Sequence, residues 1–260
     1  MAEWDAARYH RISTPQFDWG QRVIARLRPM PRERILDVGC GTGRLTQEIS
    51  TAVADGLVVG ADASGAMIAV ARESLPPSGT HRPFYVQADG LALPFVGRFD
   101  AVFSAATLHW ILDHAAVFAS VHRALVPGGR FVAQCGGDGN LRRLLDRTAS
   151  LMTRDEYREW FAGWTEPWFF ADARSTAARL REAGFVDVET SVEDAPVDLP
   201  DEAAYAEFVS CVCIRHHLER LPLPLREPFV RDLAAQAAQD SPPCTLDYRR
   251  LNIAARRGAA

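Results

Sequence analysis

The stretch Asp37-Val38-Gly39-Cys40-Gly41-Thr42-Gly43 holds the first chemistry legible in this 260-residue sequence. Glycines at alternate positions allow a tight turn and let a ligand lie against bare backbone. Carboxylates accompany them: Asp37 opens the stretch, and Asp62 and Asp89 follow at the ends of later apolar runs. A dinucleotide-binding loop would need G-x-G-x-x-G. Here the third glycine, Gly43, comes one residue early, and Arg44 stands where that fingerprint would end.

The carboxylates narrow the ligand. Asp62 is placed to accept hydrogen bonds from both hydroxyls of a ribose, which suits NAD or S-adenosylmethionine alike. Asp89 suits the exocyclic amine of an adenine. Asp37 separates the candidates. An acid at the glycine loop repels a pyrophosphate, whereas it suits a ligand with an ammonium and a sulfonium, and S-adenosylmethionine is such a ligand.

These residues need elements to position them. Short apolar runs at 34–38, 57–62, 84–88, 99–104 and 130–134 predict strands. The segments 45–53, 113–125 and the one after Ser64 predict helices, with Ser64 as a cap and Pro127-Gly128-Gly129 as a stop. Strands alternating with helices imply a parallel sheet covered on both faces. The rhythm breaks after Gly136. Residues 141–170 are helical in pattern and rich in aromatics, 201–240 form a second helical insert, and strands return at 186–190 and 248–254. The first thirty residues also read as helical. In open parallel sheets, ligands settle at the carboxyl ends of the strands, where the glycine loop and its acids fall.

Composition excludes several classes. Hydrophobic residues are 48% and charged residues 24%, which rules out a disordered or fibrous chain. Net charge is −4, so nothing favours nucleic acid as the main partner. No basic segment followed by an apolar one opens the chain, and no apolar run approaches a membrane span. Five cysteines without a CxxC pair suggest a reduced, cytoplasmic compartment.

Ile35 to Gly43 resembles the first motif of class I S-adenosylmethionine-dependent methyltransferases. Gly60-Ala61-Asp62-Ala63-Ser64 resembles their second, and Gln87-Ala88-Asp89-Gly90 with Leu91 to Phe95 their third. Phe99-Asp100-Ala101-Val102 and Leu125 to Gly129 resemble the later ones. The likeness is strong over 32–136 and weaker at Ala183-Gly184-Phe185 and the last strand. It implies an α/β fold: a Rossmann-like, seven-stranded, mostly parallel sheet with helices on both faces. As a single domain, its core would span about 32–136, 172–198 and 244–257, with helical caps at about 1–31, 137–171 and 199–243 over the active site. The resemblance further implies that Gly39 and Gly41 hold the methionine part and Asp37 faces its ammonium. Asp62 then takes the ribose, Asp89 the adenine amine, and Met67 packs on the adenine ring. Ala63, Gly90 and Ala105 complete the cofactor set.

Methyl transfer from a sulfonium needs mainly alignment and exclusion of water, so the catalytic groups depend on the acceptor. A carboxylate needs no base, while a phenol, amine or carbon acid can need one. Ser104 to Trp110 should face the methyl group. Ala106-Thr107-Leu108-His109-Trp110, with Asp113-His114, is similar to trans-aconitate methyltransferases and related carboxyl O-methyltransferases. Trp4 to Tyr9 and Leu246 to Leu251 share that likeness. The family's usual glutamine-like position before the tryptophan is His109 here. His109 is therefore the catalytic candidate, either orienting a carboxylate or acting as a base near neutral pH; its alternative is a hydrogen-bonded histidine shaping the loop. Tyr9, Trp19, Trp110 and Trp164 are the candidates for a substrate pocket. Trp160 and Trp164 should share a helix face and, with Trp168, form an apolar lid or simply pack on the sheet. Cys213 with His216 and His217 could share a face as zinc ligands, but no second cluster completes a tetrahedral site, so no metal is expected. Methyl transfer to a small organic molecule is the reading; a cofactor-binding module without turnover, an RNA or protein methyltransferase and a nicotinamide oxidoreductase are its rivals.

Overall fold

The computed structural model describes residues 14–74 and 81–259. Tyr9 and the rest of the Trp4 to Tyr9 motif lie outside the described residues. Thr14–Leu27 (α1) bears out the helix read in the N-terminal segment. The expected alternation follows: Arg34–Val38 (β1), Arg44–Ala52 (α2), Leu57–Asp62 (β2), Gly65–Glu73 (α3), Phe84–Gln87 (β3), Phe99–Ala105 (β4), His114–Ala124 (α4) and Leu125–Gly136 (β5). Ala173–Glu182 (α6) follows a further helix, Arg142–Met152 (α5). Then come Phe185–Asp194 (β6), Val197–Asp198 (β7), Glu202–Phe208 (α7), Arg215–Arg220 (α8), Leu223–Ala237 (α9), Thr245–Leu246 (β8) and Arg249–Arg257 (β9).

Seven strands form one sheet in the order β3-β2-β1-β4-β5-β9-β6. The first five pair in parallel and β9 runs antiparallel to β5. Alternate residues of one strand enter opposite cores: Ile35 packs with Val23, Leu27, Ile49 and Phe103 on one face, and Leu36 with Val102, Phe118 and Phe131 on the other. Burial on both faces is why these strands read as continuous apolar runs. The start of β5 came as a difference. Pro127-Gly128-Gly129 does stop the preceding helix, yet Leu125 already pairs with Phe99, and the register then shifts before Ala101 meets Arg130.

The chain divides into two compact units. The first comprises Met1–Asp138, Trp168–Glu193 and Arg250–Ala260 and carries the sheet; the second comprises Gly139–Pro167 and Asp194–Arg249. The second unit has an aromatic core of its own, in which Phe229 meets Tyr157 at 5.0 Å and Phe161 at 5.9 Å. Its helix α5 ends at Met152, well short of the helical stretch expected through Phe170. Short turns replace it: Trp160 N–H bonds to the Tyr157 carbonyl, Trp164 N–H to that of Phe161, and Gly163 takes a left-handed φ of 70°. Trp160 and Trp164 therefore do not share a helix face. The cysteine-histidine segment is also broken. Val209–Cys213 winds as a π turn, Ile214 N–H reaching the Val209 carbonyl, and α8 begins only at Arg215. Among the described residues no group of three or more His, Cys, Asp or Glu gathers to hold a metal ion, and no helix is long and apolar enough to cross a membrane.

His217 packs its ring 4.5 Å from that of Trp164, and burial pushes its pKa down to about 3. The unfolded chain binds this proton near pH 6.5, so the stability His217 contributes is full above that pH and is lost as pH falls toward 3. Urea midpoints should fall between pH 7.5 and pH 5, and the fall should shrink in His217→Phe. An equal fall in both proteins would place the sensitivity elsewhere.

Candidate functional site

The carboxyl ends of β1, β2 and β4 converge because the register aligns Asp37 with Gly60 and with Phe103. The glycine loop leaves β1 there. Gly39 and Cys40 N–H groups both bond to the Ala61 carbonyl, at 2.7 and 3.1 Å, which folds the loop back over β2. Gly39 sits at a φ of 74°, and a Cβ on it would lie 2.1 Å from the Thr107 side chain. Thr107 uses that closeness: its hydroxyl donates to the Gly39 carbonyl at 3.0 Å. Gly41 is different. Its φ is 54°, and a Cβ there would meet nothing within 4 Å. Backbone bared toward open space is what a ligand against this loop requires.

Asp62 ties the site together. One carboxylate oxygen accepts the Gly41 N–H at 2.9 Å and the other accepts the Ser64 N–H at 2.8 Å. Burial raises its pKa, while these two bonds oppose the rise. A carboxylate offers about four lone-pair positions, so each oxygen retains one for a hydroxyl donor. Asp37 is buried, held by the Thr46 hydroxyl at 2.7 Å. Burial, against the Thr46 bond and with help from Asp62, lifts its pKa to about 7. Its charge is costly until a cation arrives. Asp89 is exposed and caps the turn Gly90–Ala92 by accepting the Leu91 N–H at 2.9 Å. Met67 is buried in α3, Ala63 is exposed beside it, and Gly90 is buried against Ile111. Ala105 ends β4, half-buried.

The acceptor candidates divide. His109 is buried, its ring 5.1 Å from Trp110 and 5.7 Å from Phe170. Its Nδ1 accepts the Gly136 N–H at 3.3 Å, which puts its own proton on Nε2. Burial first, then Arg250 and His114, push its pKa well below 6.5. The expectation of a base near neutral pH is thereby corrected: the ring is neutral and weakly basic. Trp110 is half-buried and meets Trp168 edge-on at 5.7 Å. Trp19 is buried beneath the Arg250 guanidinium, 4.5 Å from ring centre. Trp164 belongs to the second unit, so the expected tryptophan cluster is split, Trp168 alone joining the first.

Two features of the site carry no local signal in the sequence. Ala106 turns left-handed at φ 56°, a strained setting for a residue with a Cβ, and so aims Thr107 at the glycine loop. Arg250 is only 3% exposed, a rare state for a permanent cation. Its flanking Tyr248-Arg249 and Leu251 gave it the look of an ordinary strand position.

The glycine turn, the acid at the end of the second strand and the parallel sheet define a nucleoside-binding fold of the Rossmann-like kind. Residues 35–129 match the family model described as "Methyltransferase domain". The chain is 33% identical to an uncharacterised methyltransferase of Schizosaccharomyces pombe over 191 residues, 70% of either chain. It belongs to the class I S-adenosylmethionine-dependent methyltransferases. Over nearly their full lengths it is also 28% identical to proteins named trans-aconitate 2-methyltransferase, from Methylobacterium nodulans (99% of both chains) and Variovorax paradoxus (96% and 95%). Among solved structures the YcgJ protein of Bacillus subtilis shares the fold with a TM-score of 0.64 at 17% identity, over 93% of this chain and 98% of that one. Phosphoethanolamine N-methyltransferase 2 of Haemonchus contortus does so with 0.61 at 19%, over 98% of this chain and 57% of that one.

A cation beside Asp37 would ionise it and expel its proton. Affinity for S-adenosylmethionine should therefore rise about tenfold from pH 5.5 to 7.5, a span across the Asp37 pKa. In titration calorimetry Asp37→Asn should flatten this rise. A wild-type affinity independent of pH would remove the cation from Asp37. Asp62→Ala, which frees the Gly41 and Ser64 N–H groups as well as any hydroxyl partner, should weaken binding by about 1.5–3 kcal/mol. An unchanged dissociation constant would take the ribose away from Asp62.

Proposed function

We propose that this methyltransferase esterifies a carboxylate oxygen of a small organic acid, as a single domain acting in the cytoplasm without a nucleic-acid or membrane partner. The observation that carries this is the likeness, over nearly the full chain, to proteins named trans-aconitate 2-methyltransferase, and the burial of His109 beside Gly136 fits it. Between Ser104 and Trp110, the segment that leaves β4, His109 is the single titratable side chain. Burial keeps it neutral with a pKa well below 6.5. A phenol or protonated amine needs a proton removed before or during attack; a carboxylate arrives ionised.

The fit of the chain to the cofactor rests on the bare backbone at Gly41 and on Asp62, whose oxygens each keep an accepting position. In this reading Asp37 faces the ammonium, Gly39 and Gly41 back the methionine part, and Asp62 holds the ribose. Asp89 takes the adenine amine, while Ala63, Met67, Gly90 and Ala105 line the nucleoside. When bound, S-adenosylmethionine supplies an electrophilic methyl whose bond to sulfur breaks, the electron pair leaving with the sulfur. The chain's own work is alignment and drying. The His109 Nε2–H donates to the acceptor carboxylate and fixes its direction, and Trp110 shields it from water.

A tritiated-methyl assay over acids, phenols and amines tests the reading. Base-labile methyl esters should form from acids, with kcat at saturating cofactor flat from pH 6.5 to 9. A kcat that climbs with pH, or base-stable products, would show an acceptor that loses a proton. His109→Ala should lower kcat by about tenfold while leaving cofactor affinity within about twofold. Tight cofactor binding with no methyl transfer to any acceptor would leave a binding module.

A further inference from the structure

Arg250 lies on β9, opposite Gly136 of β5, where both strands reach the carboxyl edge of the parallel set. Two residues along, Asn252 stands opposite Gln134, so Arg250, Asn252 and Gln134 face the same side of the sheet. That side is covered by α1. Trp19 of α1 presents its ring to the Arg250 guanidinium, and Arg26 of α1 bonds to the Asn252 carbonyl oxygen, which also accepts from Gln134 at 2.7 Å. The other oxygen of that pair, Gln134 Oε1, is buried and finds no partner. The first unit thus holds a polar floor with a desolvated cation and an unmet acceptor, at the end of the sheet where the reaction takes place.

Position separates this floor from the cofactor acids. In the strand order β1-β4-β5-β9, Arg250 stands three strands from the glycine loop and two from the end of β4. At about 4.8 Å per strand this is roughly 14 Å from the loop and roughly 10 Å from β4. An arginine side chain and a short acid together bridge the second distance, which places the guanidinium on the acceptor's side. A guanidinium carries its donors within its own plane, the geometry that grips a carboxylate by two bonds.

The charge balance of the reaction decides which carboxylate it grips. As a carboxylate oxygen attacks the sulfonium methyl, the oxygen's negative charge and the sulfur's positive charge both vanish. A cation on the reacting carboxylate would stabilise the starting state more than the transition state and slow the step. A carboxylate that does not react keeps its charge throughout, and a cation there binds both states alike. We infer that Arg250 is a specificity-determining residue, which anchors a second, unreacting carboxylate of the acceptor and so selects di- and tricarboxylates over monocarboxylates. This rests on the carboxylate reading above, and it assigns the selection to one buried residue near the start of β9.

The test compares acceptors that differ in one carboxylate, fumarate against crotonate, with trans-aconitate as a third, in wild type, Arg250→Gln and Arg250→Lys. In wild type, kcat/KM should favour fumarate over crotonate by about tenfold to a hundredfold, the worth of one charge-assisted contact. Arg250→Gln should erase that preference through KM, with kcat for fumarate within about twofold, and Arg250→Lys should restore part of it. Thermal midpoint and S-adenosylhomocysteine affinity report whether each variant is folded; if Arg250→Gln is not, Arg250→Lys carries the comparison through its reduced preference. A preference unchanged in both variants, or a loss that falls equally on crotonate, makes Arg250 a packing residue and overturns the inference. Equilibrium binding keeps the two readings apart. Should wild type methylate no acid, binding of trans-aconitate in the presence of S-adenosylhomocysteine that needs Arg250 would sustain the anion site and sink the esterification. An absence of such binding would sink the anion site.

Discussion

The double hydrogen bond to Asp62 is the constraint on which the site depends. Its carboxylate spans from the Gly41 N–H to the Ser64 N–H, and these belong to the loops after the first and second strands. One side chain thereby fixes the glycine turn against the start of the next helix. The rest of the loop's order follows from it. Thr107, aimed by the left-handed Ala106, closes the turn from the β4 side at the Gly39 carbonyl. Tyr85 closes it from the β3 side, its hydroxyl donating to the Gly43 carbonyl at 3.2 Å. The turn is held from three strands before any ligand enters, so little ordering entropy remains for binding to overcome.

This order is bought with buried charge. Burial makes both Asp37 and Asp62 harder to ionise, and Asp62 lies close enough to add to that at Asp37. Thr46, Gly41 and Ser64 offset only part of it. Buried acids that resist their own negative charge suit a neighbour that supplies positive charge better than one that brings phosphate.

The strand ends that carry the acids were legible in the sequence because their signals are local. Asp37, Asp62 and Asp89 each fall at or just past the end of a strand, and the apolar run before each one announces that end. The sheet itself was legible for the same reason, down to the order of its first five strands' elements. The surroundings of His109 and of the tryptophans were not. His109 looked like a base because sequence shows an imidazole and not the Trp110, Phe170 and Arg250 that surround it. Trp160, Trp164 and Trp168 looked like one cluster because helical spacing was assumed, and the turns from Thr153 to Gly163 undo that spacing. Arg250 is next to His109's partner Gly136 only through strand pairing, a contact between distant parts of the chain that no local pattern encodes.

The strand ends also differ in the sign of their charge. Acids end the first and second strands, and a buried cation opens the last. In the esterification proposed above, donor and acceptor are oppositely charged, so left to themselves they would attract without regard to orientation. Two intervening strands separate the acids from the buried cation, and in that proposal they would give each reactant its own place with the uncharged end of β4 between them. Ser104, Ala105 and Ala106 there are small and neutral, and Ser104 spends its hydroxyl on the Val38 carbonyl at 2.8 Å. Because the charges of donor and acceptor cancel as the methyl moves, a fixed charge beside the reacting atoms would hold the starting state more tightly than the transition state, and Ser104, Ala105 and Ala106 supply none.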